Sequence, residues 1–105
     1  MEWYDGLYVG KNIQSNKKSV IRKIKRHKFV PGVYVLTLPA NEQNVLDIYP
    51  SYVLTQKYYQ KQSLYVVGIA KGMSEAKDVM CQLVMEALSN TGSCKVAGLV
   101  QNNKE

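Results

Sequence analysis

Few residues of this 105-residue chain are suited to metal or redox chemistry. It has one histidine, His27, and two cysteines, Cys81 and Cys94. The cysteines lack CxxC spacing, and with a single histidine they cannot complete a usual Cys/His zinc site. We expect both thiols to be buried and reduced. The residues predict neither a metal nor a cofactor.

The sequence also lacks a clear set of residues for acid-base catalysis. His27 lies in a lysine-rich segment, and no acidic residue nearby in the sequence would orient its imidazole. Glu75 and Asp78 fall in the first turns of a predicted helix, where carboxylates favour the helix dipole without any catalytic duty. Nucleophile, base and orienting group therefore do not form a recognisable set, and we expect the protein not to be an enzyme.

The positive charge of the chain is concentrated in one segment. Residues 6–41 hold eight basic residues and no acidic one, whereas residues 42–105 hold six lysines and six acids. Within residues 15–28 the apolar positions Val20, Ile21 and Ile24 recur at helical spacing. The opposite arc of that helix carries the cations Lys18, Arg22, Lys25 and Arg26. The pattern predicts an amphipathic helix with a cationic face.

That cationic face has a cost in an isolated helix. Lys18, Arg22 and Arg26 are i, i+4 like-charge neighbours, each pair unfavourable by a few tenths of a kcal/mol. An acidic protein surface or the phosphates of RNA or DNA would relieve the repulsion. The sequence thus predicts a small binding or interaction domain whose basic helix contacts such a partner. The alternative is a solvated face that serves solubility.

Four tyrosines cluster in the middle of the chain, and their rings could stack on bases or line a pocket. More typically such rings lie half in the core with the hydroxyl in water. No ribonucleoprotein, KH or zinc-finger motif accompanies them. The cluster comprises Tyr49, Tyr52, Tyr58 and Tyr59.

A glycine-containing turn, residues 68–74, offers a second binding hypothesis. It joins a predicted strand to a predicted helix, and free amides at a helix amino terminus can hold an anion. Lys71, Gly72 and Ser74 would be the residues of this small-anion or nucleotide site. The spacing is GxxxG, which matches neither GxGxxG nor GxxxxGK[ST]. A tight connection with a capping serine explains the same residues structurally.

The second predicted helix carries a further apolar strip away from its main stripe. Cys81, Met85 and Leu88 form it. If exposed, this strip could join two copies in a homodimer; a neighbouring loop could equally cover it.

The elements that must position these residues follow from hydrophobic periodicity. Ser74 is the expected cap of the second helix, and Asn90, Thr91 and Gly92 are its expected end. Residues 42–60 are ambiguous, with an edge strand or helical turn before Pro50 and a short helix from about Ser51. Three largely apolar runs predict buried strands at residues 33–38, 64–70 and 94–100.

Helices alternating with apolar strands predict an α/β fold in a single domain, residues 1–105. We expect a three- or four-stranded mixed or parallel sheet with two or three packed helices. The last two strands and the helix between them should form a right-handed βαβ unit. If residues 7–9 are also a strand, a ferredoxin-like α+β sheet is the alternative.

Composition and termini place the chain among globular proteins. It is 46% apolar and 21% charged, which argues against disorder. The first residues lack the pattern of a secretory signal, so a cytoplasmic location is expected. The longest apolar run, residues 64–70, is far shorter than the roughly 20 residues that span a bilayer.

Overall fold

The computed structural model describes residues 1–40 and 44–98. Two 3-10 helices, Lys11–Asn16 and Ser51–Thr55, accompany the regular elements. The strands are β1 (Glu2–Val9), β2 (Val33–Thr37), β3 (Asp47–Pro50) and β4 (Tyr65–Lys71). The helices are α1 (Lys17–Lys25), α2 (Lys57–Gln60) and α3 (Met73–Thr91).

The four strands form one mixed sheet in the order β1-β4-β2-β3. β1 runs parallel to β4, while β2 is antiparallel to both β4 and β3. The expected α/β fold with a mixed sheet is therefore confirmed. The ferredoxin-like alternative requires an antiparallel sheet, and the parallel β1–β4 pair excludes it.

Side chains of the central strands contribute to two cores, one on each face of the sheet, and a register shift between Val66 and Gly68 breaks the strict alternation of β4. Val67 and Ala70 pack with α3 on one face, and Val66 and Ile69 pack with α1 on the other. The α1 side also holds the second 3-10 helix through Leu54, which is 2% exposed. The basic helix and the second 3-10 helix thus share one face of the sheet, and α3 covers the opposite face.

The predicted last strand is wrong within the described residues. The chain bends after α3, and residues 96–98 form a helical turn instead; residues 99–100 of the predicted strand lie outside the described residues. Val96 is fully buried against the α3-side core, so its apolar character reflects an anchor rather than strand pairing. The predicted βαβ unit of β4, α3 and a following strand is consequently absent from the part of the chain that the structure describes.

The ends of α3 gave one wrong and one correct expectation. Ser74 does not cap the helix: Gly72 is the N-cap residue, and no side chain caps it. Gly92 ends the helix in the left-handed conformation, with φ 75° and its N–H bonded to the Leu88 carbonyl. Glycine adopts this conformation without a Cβ clash, as the sequence predicted.

In the ambiguous middle segment, the stretch before Pro50 forms the edge strand and not the alternative helical turn. β3 is an edge strand whose last residue is Pro50, opposite Tyr34 of β2. Proline is tolerated there because an edge strand leaves part of its backbone unpaired. The 3-10 helix then begins at Ser51, where a short helix was expected.

Candidate functional site

The four cations predicted to share one helix face do so. Val20 and Ile24 of α1 are 3% and 1% exposed and fix the helix on the sheet. No acidic residue stands in the first turn of the helix. The exposed side chains on the solvent side include Lys18, Arg22, Lys25 and Arg26. An open groove of about 430 Å³ lies among these four cations and Ile21.

These cations lack ion-pair partners among residues 1–40 and 44–98. Lys25 alone has a specific contact, its Nζ lying 5.5 Å from the centroid of the Trp3 ring. A cation over an indole face is held by the ring quadrupole, which leaves the positive charge uncompensated. The face therefore presents its charge to solvent or to a partner.

The end of α1 shows backbone strain at a single residue. His27 is the only non-glycine residue of the described chain with a positive φ, 59°. Its N–H bonds to the Ile24 carbonyl and the Lys28 N–H to the Lys23 carbonyl, the two bonds of a Schellman motif. Glycine usually holds this position, because a Cβ costs about 1–2 kcal/mol in the left-handed region.

We expect His27→Gly to raise the free energy of unfolding by about 1 kcal/mol, because it relieves this strain. Urea denaturation measures the change. Lys28→Gly is the matched control, because Lys28 has no positive φ and gains nothing from glycine. A lower stability for His27→Gly than for the parent would contradict the assignment of strain.

A cleft of about 640 Å³ opens beside the end of α1, between β1 and the end of α2. His27 contributes to it, and its Nδ1 is the one buried side-chain nitrogen or oxygen without a hydrogen bond in the described chain. Two carboxylates, Glu2 and Asp5, also line the cleft. Their negative charge disfavours phosphate there and bounds the cationic face on this side. The remaining lining residues are Met1, Trp3, Lys25, Gln60 and Tyr65.

The tyrosine cluster divides into half-buried and exposed members. Tyr49 and Tyr59 pack against the α1-side core and contact each other at 5.5 Å between ring centroids. Burial raises the pKa of Tyr49, and the nearby Asp47 carboxylate raises it further, so this phenol stays protonated at neutral pH. Tyr52 and Tyr58 are 54% and 66% exposed. The expected half-buried position fits only the first pair.

A contact that the sequence did not reveal involves Phe29, in the loop after α1. Phe29 is 55% exposed and contacts Tyr52 edge to face, with 6.4 Å between ring centroids. The two residues are distant in sequence, and only the packing of the middle segment against the loop after α1 brings them together. The rings lie on the same side of the sheet as the cationic helix.

The turn of the second hypothesis already holds a carboxylate of the protein itself. Glu75 accepts hydrogen bonds from the backbone N–H groups of Lys71, at 2.6 Å, and Asn12, at 2.8 Å. An external anion beside Lys71, Gly72 and Ser74 would face this negative charge. The acid three residues after the N-cap is the signal that could have revealed the arrangement.

The apolar strip on α3 is exposed to solvent in the part of the chain that the structure describes. Cys81 is exposed, as are Met85 at 68% and Leu88 at 48%. Cys94 is exposed as well, so the expectation of two buried thiols is wrong for both. The strip lies on the far side of the sheet from α1, on the helix that covers the α3-side core.

Metal sites and membrane spans have no candidates in the part of the chain that the structure describes. Its residues contain no group of three or more potential ligands among His, Cys, Asp and Glu. Among them, no helix combines the length and hydropathy of a membrane span. Comparison with protein-family models, curated proteins and solved structures found no match.

Proposed function

We propose that this protein is a small non-catalytic binding module inside the cell whose α1 face contacts the phosphates of a nucleic acid. The observation that carries the proposal is the row of four exposed cations, Lys18, Arg22, Lys25 and Arg26, without ion-pair partners among the described residues. Phosphates at the spacing of a polynucleotide chain would relieve the like-charge repulsion along the helix. The exposed rings beside the helix favour nucleic acid over an acidic protein, because bases have faces on which rings can stack.

The dependence of affinity on salt tests this proposal. Four phosphate contacts predict a slope of about −3 when log affinity for a labelled single strand is plotted against log salt concentration. Fluorescence anisotropy between about 50 and 300 mM salt gives the slope. A lack of binding at the lowest salt would overturn the proposal. Tighter binding of polyglutamate than of the oligonucleotide would indicate that the partner is an acidic protein and not a nucleic acid.

The small-anion site at the turn before α3 is the weaker candidate. Its backbone amide at Lys71 is already bonded to Glu75. Displacing that carboxylate would cost a charge-assisted hydrogen bond before any ligand could be held.

Self-association through α3 is a separate proposal, favoured by the exposure of Cys81, Met85 and Leu88 on one side of the helix. A dimer would bury this strip and place two cationic helices on one particle. Sedimentation velocity should show a dimer that Met85→Glu converts to a monomer, because a charge would be buried in the interface. A monomer at all concentrations of the parent protein would contradict it.

A further inference from the structure

The ring pair of Phe29 and Tyr52 is an exposed aromatic surface next to the cationic face. Both side chains leave more than half of their surface in water, at 55% and 54% exposure. Their edge-to-face contact leaves part of each ring open, as the exposures show. Exposed rings in contact with each other are suited to stack against another flat, apolar group.

A buried hydroxyl connects the loop after α1 to the second 3-10 helix. Ser51, 2% exposed, accepts a hydrogen bond from the Val30 N–H at 3.2 Å and donates one to the Val30 carbonyl at 2.6 Å. Val30 follows Phe29 in the chain, and Ser51 precedes Tyr52. Both bonds therefore join the two backbone segments that carry the rings. A surface fixed before binding loses less conformational entropy when a partner stacks on it.

The rings are within reach of a strand bound along α1. Phe29 is three residues beyond Arg26, which limits their Cα separation to about 11 Å. Lys28, between them, is also exposed. A polynucleotide with phosphates on α1 could thus place a neighbouring base over the rings. No acidic residue occurs between residues 6 and 41 to repel its backbone.

We propose that Phe29 and Tyr52 stack on unpaired bases, so that the protein selects single-stranded nucleic acid over duplex. This inference rests on the proposed function, because it requires phosphates on α1. A duplex offers its phosphates to the same cations, but its base faces are occupied by stacking within the helix. A single strand offers both phosphates and free base faces. Discrimination between the two forms then comes from the rings and general affinity from the cations.

The test compares a single-stranded oligonucleotide with a duplex of equal length, using the parent and Phe29→Ala/Tyr52→Ala. The parent should bind the single strand more tightly than the duplex at the same salt. The double variant should lose affinity for the single strand, on the order of tenfold for each ring. Its affinity for duplex and its salt slope should stay at the parent values, because the cations are intact.

Two further variants separate stacking from loss of structure. Tyr58→Ala removes a ring that is 66% exposed on α2, and its binding should match the parent. Phe29→Trp keeps a stacking ring, so it should retain affinity, and its indole fluorescence should be quenched by the single strand but not by the duplex. Equal binding of single strand and duplex by the parent would overturn the inference and leave the proposed function standing. Binding of neither form at low salt would overturn the proposed function itself.

Discussion

The double substitution Arg22→Glu/Arg26→Glu is expected to weaken binding to a single-stranded oligonucleotide on the order of 100-fold at about 50 mM salt. Each phosphate contact to a single strand is worth roughly eightfold at that salt relative to about 1 M. Losing two contacts gives most of the expected change, and the two new negative charges add repulsion. The salt slope should become shallower by about 1.4. Fluorescence anisotropy measures both quantities.

A matched control variant separates the loss of the α1 cations from the change in net charge. Lys77→Glu/Lys95→Glu changes the charge by the same amount, and both lysines are exposed outside α1. The loss of affinity in this control should be several-fold smaller than in Arg22→Glu/Arg26→Glu. The α1 variant should stay folded, because the attraction of Lys18 to the first new carboxylate offsets the repulsion between the two new carboxylates to within about 0.5 kcal/mol. Equal losses in the two variants would show that no particular face binds.

The substitution Ser51→Ala is expected to lower the free energy of unfolding by about 1–3 kcal/mol. It removes the hydroxyl that bonds both backbone groups of Val30, in a site where Ser51 is 2% exposed. The buried Val30 N–H then loses its partner, at about 1–3 kcal/mol, whereas the Val30 carbonyl keeps its hydrogen bond from the Val33 N–H at 3.2 Å. A domain of this size commonly has about 5–15 kcal/mol of stability, so the variant should still fold.

Urea denaturation of Ser51→Ala beside Ser89→Ala checks this value. Ser89 lies exposed on α3, and its loss should change stability by no more than about 0.5 kcal/mol. The Ser51 variant should also bind single strands more weakly, because the ring pair loses its fixed geometry. A stability within that same margin of the parent would contradict the structural role given to the hydroxyl.

Periodicity in the sequence predicted the elements whose pattern is long or unambiguous. The i, i+3, i+4 repeat of α3, its end at Gly92 and the apolar runs of β2 and β4 all appear in the structure. The cationic face of α1 followed from the same arithmetic, because helical spacing alone decides which residues share a side. This part of the candidate site needed no tertiary information.

Periodicity does not predict the structure of short apolar runs or the contacts between residues distant in sequence. The segment around Val96 is apolar because it anchors the chain in the core, and a short apolar run does not distinguish a strand from a helical turn. Phe29 and Tyr52 meet because the second 3-10 helix packs against the loop after α1, where Ser51 bonds to Val30, and this contact has no local signature. Glu75 likewise reaches Asn12 across the fold.

Titration of isotope-labelled protein with a single-stranded oligonucleotide, followed through backbone amide NMR shifts, tests most directly whether α1 is the binding face. Changes should concentrate on residues 17–29 and on Tyr52, with α3 unaffected, and they should disappear at high salt. Changes centred on α3, or shifts that persist at high salt, would contradict binding through the cations of α1.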